Sequence, residues 1–237
     1  MKLAQRLDRS LYPDHGDRWD DALFRRVLLA EISREDRVLD LGAGAGIVPE
    51  MNFRGVAARV CGVDPDPRVA DNPYLDEAEV GVGESVPYPD GSFDLVFADN
   101  VLEHLEDPRQ VFAEVARLLA PGGRFLVKTP NRWHYVALAA RLTPHRFHRA
   151  YNRRRGRSTG DTFPTRYLAN RPRRLRELAA GAGLRVRSIE LVEGRPEYLR
   201  TWAPAYLLGW LYERAVNRLP ALRGFRVVMI AVFEKPE

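Results

Sequence analysis

The chain has 237 residues, 45% hydrophobic and 29% charged, with a formal net charge of +5. That length and balance fit one soluble α/β domain with a full core, and they exclude a disordered or fibrous chain. The single cysteine, Cys61, excludes an internal disulfide; no His/Cys cluster with zinc spacing surrounds it, and it reads as core filling in a buried strand.

The opening stretch MKLAQRLDRSLYPDHGDRWDD has no apolar segment of the kind a signal peptide needs. Trp19 to Ile32 sets Leu23, Val27 and Leu28 at helical spacing, predicting an amphipathic helix that closes an N-terminal helical segment over residues 1–35. Strands and helices then alternate. RVLDLG predicts a strand, followed by a glycine turn and a short helix; RVCGVD predicts a second strand and EAEVGVGE a weaker third. SFDLVFAD is a fourth, leading to a helix from about Pro108 to Leu119 that Pro121-Gly122-Gly123 stops, and GRFLVKTP is a fifth.

Residues 131–172 are basic, aromatic and irregular, and they form one insert. A helix over Arg173 to Ala180, a sixth strand in LRVRSIELVE, a second insert at 194–223 and a seventh strand in FRVVMIAVFEKP complete the chain. The longest apolar run of that second insert, Trp202 to Tyr212, is broken by Pro204 and is too short to span a bilayer. The expectation is a single domain with a cytoplasmic location, built as a Rossmann-like α/β sheet of seven strands with helices on both faces.

The charge is divided unevenly. Residues 1–120 hold 13 Lys+Arg and 24 Asp+Glu, whereas residues 121–237 hold 24 and 8. A cationic half points to an anionic partner: a phosphorylated small molecule, a nucleic acid or an acidic membrane surface. Its densest run is HRFHRAYNRRRGR, His145 to Arg157, which reads either as a solvated loop or as an electropositive cover over an anionic acceptor.

The turn after the predicted first strand is Gly42-Ala43-Gly44-Ala45-Gly46. Glycines at a strand-to-helix turn let backbone approach a ligand and expose N–H groups to it. The dinucleotide fingerprint G-x-G-x-x-G fails here, because Ile47 stands where the third glycine belongs. Asp40, two residues before the glycines, is awkward beside a pyrophosphate but suits a cationic group such as an ammonium. Asp64, ending the second strand before Pro65, can accept both hydroxyls of a ribose. Taken singly, Asp40 could be a helix cap and Asp64 a turn former.

VLDLGAGAG, GVDPD, ESVPYPDGSFDLVFADNVLEHLEDP and LLAPGGRFLVKTPN, in this order and spacing, resemble a class I S-adenosylmethionine-dependent methyltransferase of the group acting on small molecules such as quinone-type lipids and sugars. The resemblance covers about Arg37 to Asn131 and implies a mostly parallel sheet with an antiparallel final strand. It implies that Asp40, Gly42, Ala43, Gly44 and Gly46 hold the methionine end of S-adenosylmethionine, that Asp64 and Pro65 meet the ribose, and that Glu84 and Ser85 flank the adenine. Asn100 would line the sulfonium side. Many relatives carry an aspartate where this chain has Val82, which leaves the adenine contact to Glu84 or to backbone.

Methyl transfer from a sulfonium is an in-line displacement that chiefly needs alignment. A base serves only an acceptor that loses a proton. Candidates after the fourth and fifth strands are Asp99, His104, His134 and Tyr135, with histidine the best matched to neutral pH; Glu103 and His104 fit a helix-capping role equally well. No clustered carboxylates of a metal-assisted kind are evident. The expected acceptor is small and anionic, a sugar, glycolipid or lipid-linked intermediate. The aromatics of the second insert leave room for a peripheral membrane contact.

Two other functions compete. An RNA methyltransferase would use the basic half to grip phosphates, but only Phe147 and Tyr151 interleave aromatics with the arginines, and no N-P-P-Y-type motif follows the fourth strand. A non-catalytic cofactor-binding protein on the same fold is the third.

Overall fold

The computed structural model describes residues 2–142, 164–200 and 202–237. Seven strands form one sheet: β1 (Arg37–Leu41), β2 (Arg59–Asp64), β3 (Glu77–Val80), β4 (Phe93–Asp99), β5 (Leu119–Pro130), β6 (Arg185–Val192) and β7 (Val228–Glu234). Their order is β3-β2-β1-β4-β5-β7-β6. The β1–β2, β1–β4, β2–β3 and β4–β5 pairs are parallel, while β7 runs antiparallel between β5 and β6. The order reverses at β1 and β4, and ligands of open α/β sheets bind in the crevice at the carboxyl ends on either side of such a point.

Alternation along the central strands feeds two apolar layers. Leu39, Leu41, Val96 and Ala98 face α4 (Pro108–Leu118), and this layer also contains Leu175 and Leu178 of α6 (Pro172–Gly181). Val38, Leu95 and Phe97 lie in the opposite layer with Phe24 and Leu28 of α3 (Asp20–Glu31). The α3 helix is the one the spacing of Leu23, Val27 and Leu28 predicts. Its start is tied to the sheet by buried Lys128 of β5, whose Nζ meets the carboxylates of Asp20, Asp21 and Asp99. The start of α4 is marked in sequence too: Asp107 accepts from the N–H groups of Arg109 and Gln110, with Pro108 at the first helical position.

Three local expectations fail. After the glycine turn no α-helix forms; Pro49–Met51 makes a single 3₁₀ turn. Gly42, Gly44 and Gly46 all hold left-handed φ, at 84°, 52° and 68°, and Val48 before Pro49 is extended, as a residue preceding proline prefers. Met51 and Phe53 cover the sheet where a helix would have packed. The third strand stops at Val80, and Val82 bridges back to Ser85 in a turn. The fifth strand begins at Leu119 rather than Gly123, directly after α4, because Leu119 pairs with Phe93 of β4, while Gly122 N–H donates to the Lys235 carbonyl and Lys235 N–H to that of Gly123.

The remaining described helices are α1 (Lys2–Leu11), α2 (His15–Arg18), α5 (Tyr135–Leu142) and α7 (Ala203–Arg218). Asp8 of α1 binds the Arg195 and Arg200 guanidiniums and accepts from the Tyr206 hydroxyl of α7 at 2.8 Å, which fastens the N-terminal helix to the segment after β6. The arginine run at 145–157 lies outside the described residues.

Candidate functional site

A cleft of about 670 Å³ opens at the carboxyl ends of β1, β2 and β4. Its floor is the glycine turn. Gly42 and Ala43 donate to the Val63 carbonyl, and Gly44 N–H donates to Asp64 Oδ2 at 2.9 Å. The other Asp64 oxygen accepts from Asp66 N–H at 2.8 Å, so the carboxylate is fixed in orientation at the cleft wall. A β-carbon at Gly42 would lie 2.3 Å from Val101 Cγ2, and one at Gly46 would lie 2.3 Å from Asn72 Oδ1. Glycine is therefore required both by the backbone angle and by the space.

Asn72 was not legible as a site residue. Its amide donates to the carbonyls of Ala43 at 3.0 Å and Gly44 at 3.2 Å, while its Oδ1 accepts from Tyr74 N–H. The Asn72-Pro73 dipeptide is a turn signal; its use as a clamp on a loop 28 residues away is a tertiary fact.

Asp40 and Asp99 lie on the same wall, Asp40 buried and Asp99 partly so. Burial, followed by the charges of Asp99 and Asp64, pushes the Asp40 carboxyl well above the usual range. Burial raises Asp99 to about 7 against the pull of Lys128, which stands 2.9 Å away. For Lys128 itself burial disfavours charge, but Asp99, Asp20 and Asp21 together hold its ammonium above the ordinary lysine range. Asn100 follows at φ 55°, its N–H bonded to the Lys128 carbonyl and its amide to Asp99 Oδ1 at 2.9 Å. Asp99 is thus a paired carboxylate.

The two histidines differ. His104 Nδ1 lies 2.9 Å from the Pro164 carbonyl, which can only accept, so the proton of the neutral ring is on Nδ1 and Nε2 is the basic nitrogen. Burial lowers its pKa below the usual value, the Pro164 contact notwithstanding. His134 is almost wholly enclosed, with its ring 4.1 Å from Tyr135 and 5.6 Å from Tyr212. Its Nδ1 accepts from Val136 N–H, and its Nε2 faces Glu193 Oε2 at 3.4 Å. Burial drives His134 down to about 3 and Glu193 up to about 8, so this contact is an uncharged pair at neutral pH.

Glu103, which fits a helix-capping role by sequence, is instead buried in the cleft wall, accepts from the Thr129 hydroxyl at 3.1 Å, and is raised by burial to about 7. The cleft brings together Asp40, the glycine turn, Asp64, Pro65, Asp99, Asn100, His104, His134 and Tyr135. Glu84 and Ser85 stand off its wall: Ser85 pairs with Val82, and the Glu84 carbonyl accepts from Gln110 Nε2. Among the described residues the wall carries nine carboxyl groups and two guanidiniums. Both guanidiniums are already matched, Arg68 by Asp66 and Arg195 by Asp8 and Glu197. The described residues hold no cluster of three or more His, Cys, Asp or Glu arranged for a metal ion.

Comparison with known proteins agrees with this arrangement. A methyltransferase-domain family model matches residues 39–127, from β1 into β5. A probable S-adenosylmethionine-dependent methyltransferase of Mycolicibacterium smegmatis is 41% identical over 100 residues, 40% of this chain and 38% of that protein. A methyltransferase of Mycobacterium sp. (strain KMS) is 30% identical over 201 residues, covering 80% of this chain and 72% of its own. Among solved structures, geranyl diphosphate C-methyltransferase from Streptomyces coelicolor, in complex with Mg2+, geranyl diphosphate and S-adenosyl-L-homocysteine, superposes with a TM-score of 0.58 at 16% identity, covering 99% of this chain and 84% of that one. That likeness is one of fold. The chain spans about two fifths of the length of the first curated relatives it matches. With the glycine turn, the acidic strand ends and the sheet order in place, the chain belongs to the class I S-adenosylmethionine-dependent methyltransferases.

Proposed function

We propose that the chain methylates a hydroxyl of a small acceptor, a sugar, glycolipid or lipid-linked intermediate, with His104 as the base. The observation that carries this reading is the Nδ1 contact of His104 with the Pro164 carbonyl, which presents a basic Nε2 on the same cleft that holds the glycine turn and Asp64.

The cleft fits S-adenosylmethionine. The cradle at Gly42 and Gly46 has no room for a β-carbon. Asp64 is held to the glycine turn, where two oxygens can accept from ribose hydroxyls. Asp40 places a carboxyl at the floor whose burial favours the proton-bound form, and a cationic ammonium or sulfonium beside it would favour the carboxylate. When bound, the cofactor supplies an electrophilic methyl on a sulfonium whose positive charge disperses as the methyl departs. The residues of the chain do the rest. Asp40, Asp64 and Asn100 fix the donor end, and alignment of acceptor with donor is worth about 7–11 kcal/mol at best. His104 Nε2 takes the proton that the acceptor hydroxyl gives up, a role worth roughly 10²–10⁴ in rate. Asp99 stays bound to Lys128, and His134 stays against Glu193.

The acidic wall also bears on the acceptor. With Arg68 and Arg195 already matched by carboxylates, the group that enters the cleft is neutral, and the anion of the acceptor is left to cations beyond this wall. Aromatic faces of Tyr135, Tyr167 and Tyr198 line the same space and suit a sugar ring.

Turnover of hydroxylated sugars and lipid-linked saccharides, followed by release of S-adenosylhomocysteine, tests the proposal. His104→Gln should lower kcat by about 10²-fold or more while leaving S-adenosylhomocysteine affinity within about twofold. The wild-type rate should fall as pH drops through a value below 6.5, the direction in which burial moves His104. An acceptor turned over equally well by His104→Gln would overturn the assignment.

A further inference from the structure

Helix α7 packs by one face and leaves the other bare. Tyr206, Gly209, Glu213 and Val216 are buried, and a β-carbon at Gly209 would meet Pro196 and Leu199, so the helix lies directly on the segment after β6. Pro204, Leu207, Leu208 and Leu211 come to the opposite face at spacings of three and four. Leu208 is 65% exposed and Leu211 55%, and Trp202, just before the helix, is 65% exposed. The Tyr212 hydroxyl donates to the Phe225 carbonyl, which folds the 3₁₀ turn Pro220–Phe225 alongside α7 and adds the exposed Phe225 and Leu219 to the same region. Single exposed leucines need no explanation; a contiguous ridge of them does.

The charges beside the ridge say what covers it. Arg214, paired with Glu213, lies one turn beyond Leu211 and Arg218 two turns beyond, and Arg218 and Arg223 are exposed. An apolar ridge edged by arginine, with an exposed tryptophan at its start, has the chemistry of a helix lying in the interface of an anionic bilayer. No helix among the described residues is long and apolar enough to cross a membrane. The helix that carries the ridge adjoins the cleft: the Tyr212 ring meets those of His134 and Tyr135, at 5.6 and 5.0 Å, and both of these line the cleft wall.

We infer that the exposed face of α7 docks on an anionic lipid surface, from which an amphiphilic acceptor reaches the cleft. The second clause rests on the proposed function; the docking itself does not, and it is read without cofactor or acceptor. The full chain is sedimented with vesicles of phosphatidylcholine alone and of phosphatidylcholine mixed with anionic phosphatidylglycerol. Binding should be at least about tenfold stronger to the anionic vesicles. It should be lost in Leu208→Glu/Leu211→Glu and fall by about 25-fold or more in Arg218→Glu/Arg223→Glu, at roughly fivefold for each cation removed. Because these side chains are exposed, both variants should keep the wild-type circular dichroism and S-adenosylhomocysteine affinity, which separates loss of docking from loss of fold. Equal binding of wild type and the leucine variant to anionic vesicles would overturn the inference. So would a wild-type dimer in light scattering that the leucine variant converts to monomer with no vesicle binding by either, which would assign the ridge to a second copy of the chain.

Discussion

Replacing Glu103 by glutamine should stabilise the protein in alkaline solution and leave it almost unchanged in acid. Glu103 is buried, its carboxylate accepts from the Thr129 hydroxyl at 3.1 Å, and that hydroxyl in turn accepts from Asn170 Nδ2 at 2.6 Å. Burial outweighs these bonds and moves the group from the ordinary 4.5 to about 7. Folded protein therefore holds a proton that unfolded protein has released between pH 4.5 and 7, and stability falls as pH rises through that window. Above pH 7 both states are ionised and the full cost is present; below pH 4.5 both are protonated and it vanishes. At about 1.4 kcal/mol per tenfold in proton concentration, the cost is about 3 kcal/mol. Glutamine keeps an oxygen for Thr129 and carries no charge. Urea unfolding followed by circular dichroism should show Glu103→Gln more stable than wild type by about 2–3 kcal/mol at pH 8.5, with the difference closing at pH 4.5. A variant less stable than wild type at pH 8.5, or a difference equal at the two pH values, would refute this reasoning.

Gly42→Ala combines a left-handed φ of 84° with a 2.3 Å approach to Val101; it should cost about 1–3 kcal/mol of stability and weaken S-adenosylhomocysteine by more than tenfold in calorimetry. Lys128→Met leaves Asp20, Asp21 and Asp99 without their shared cation. Breaking a buried pair from one side costs about 3–5 kcal/mol, so the midpoint of urea unfolding at pH 7.5 should drop sharply and recover in part at pH 5, where the carboxyls take up protons. Asn72→Ala frees the carbonyls of Ala43 and Gly44; amide exchange over residues 42–46 should quicken while the sheet core is unaffected.

The sheet was legible because its strands are short, apolar and bounded by turn residues, and because Asp107-Pro108 and the glycines punctuate the helices. The site's backbone was legible for a related reason: glycine at 42, 44 and 46 and acids at 40 and 64 are local requirements of a turn and two strand ends. What failed depended on partners distant in sequence. A helix after the glycine turn was expected from the usual strand–turn–helix unit, but Pro49 and three left-handed glycines leave only a 3₁₀ turn, and Phe53 covers the sheet instead. The early start of β5 depends on Phe93 and Lys235. Lys128 interrupts an otherwise apolar strand, which is a signal that something pairs it, but its partners Asp20 and Asp21 are more than a hundred residues away. The histidines could be named from sequence but not ranked, since His104 and His134 are distinguished only by Pro164 and Glu193.

The most direct test of the central claim, that the glycine turn and Asp64 hold S-adenosylmethionine, is calorimetric titration of S-adenosylmethionine, S-adenosylhomocysteine and NAD into wild-type protein and Asp64→Ala. Both sulfur compounds should bind the wild type and NAD should give no heat. Loss of two hydrogen bonds to a carboxylate, at about 1.5–3 kcal/mol each, should weaken the variant by about 100-fold or more. Binding of NAD in place of the sulfur compounds, or an Asp64→Ala variant that binds S-adenosylhomocysteine as tightly as wild type, would contradict it.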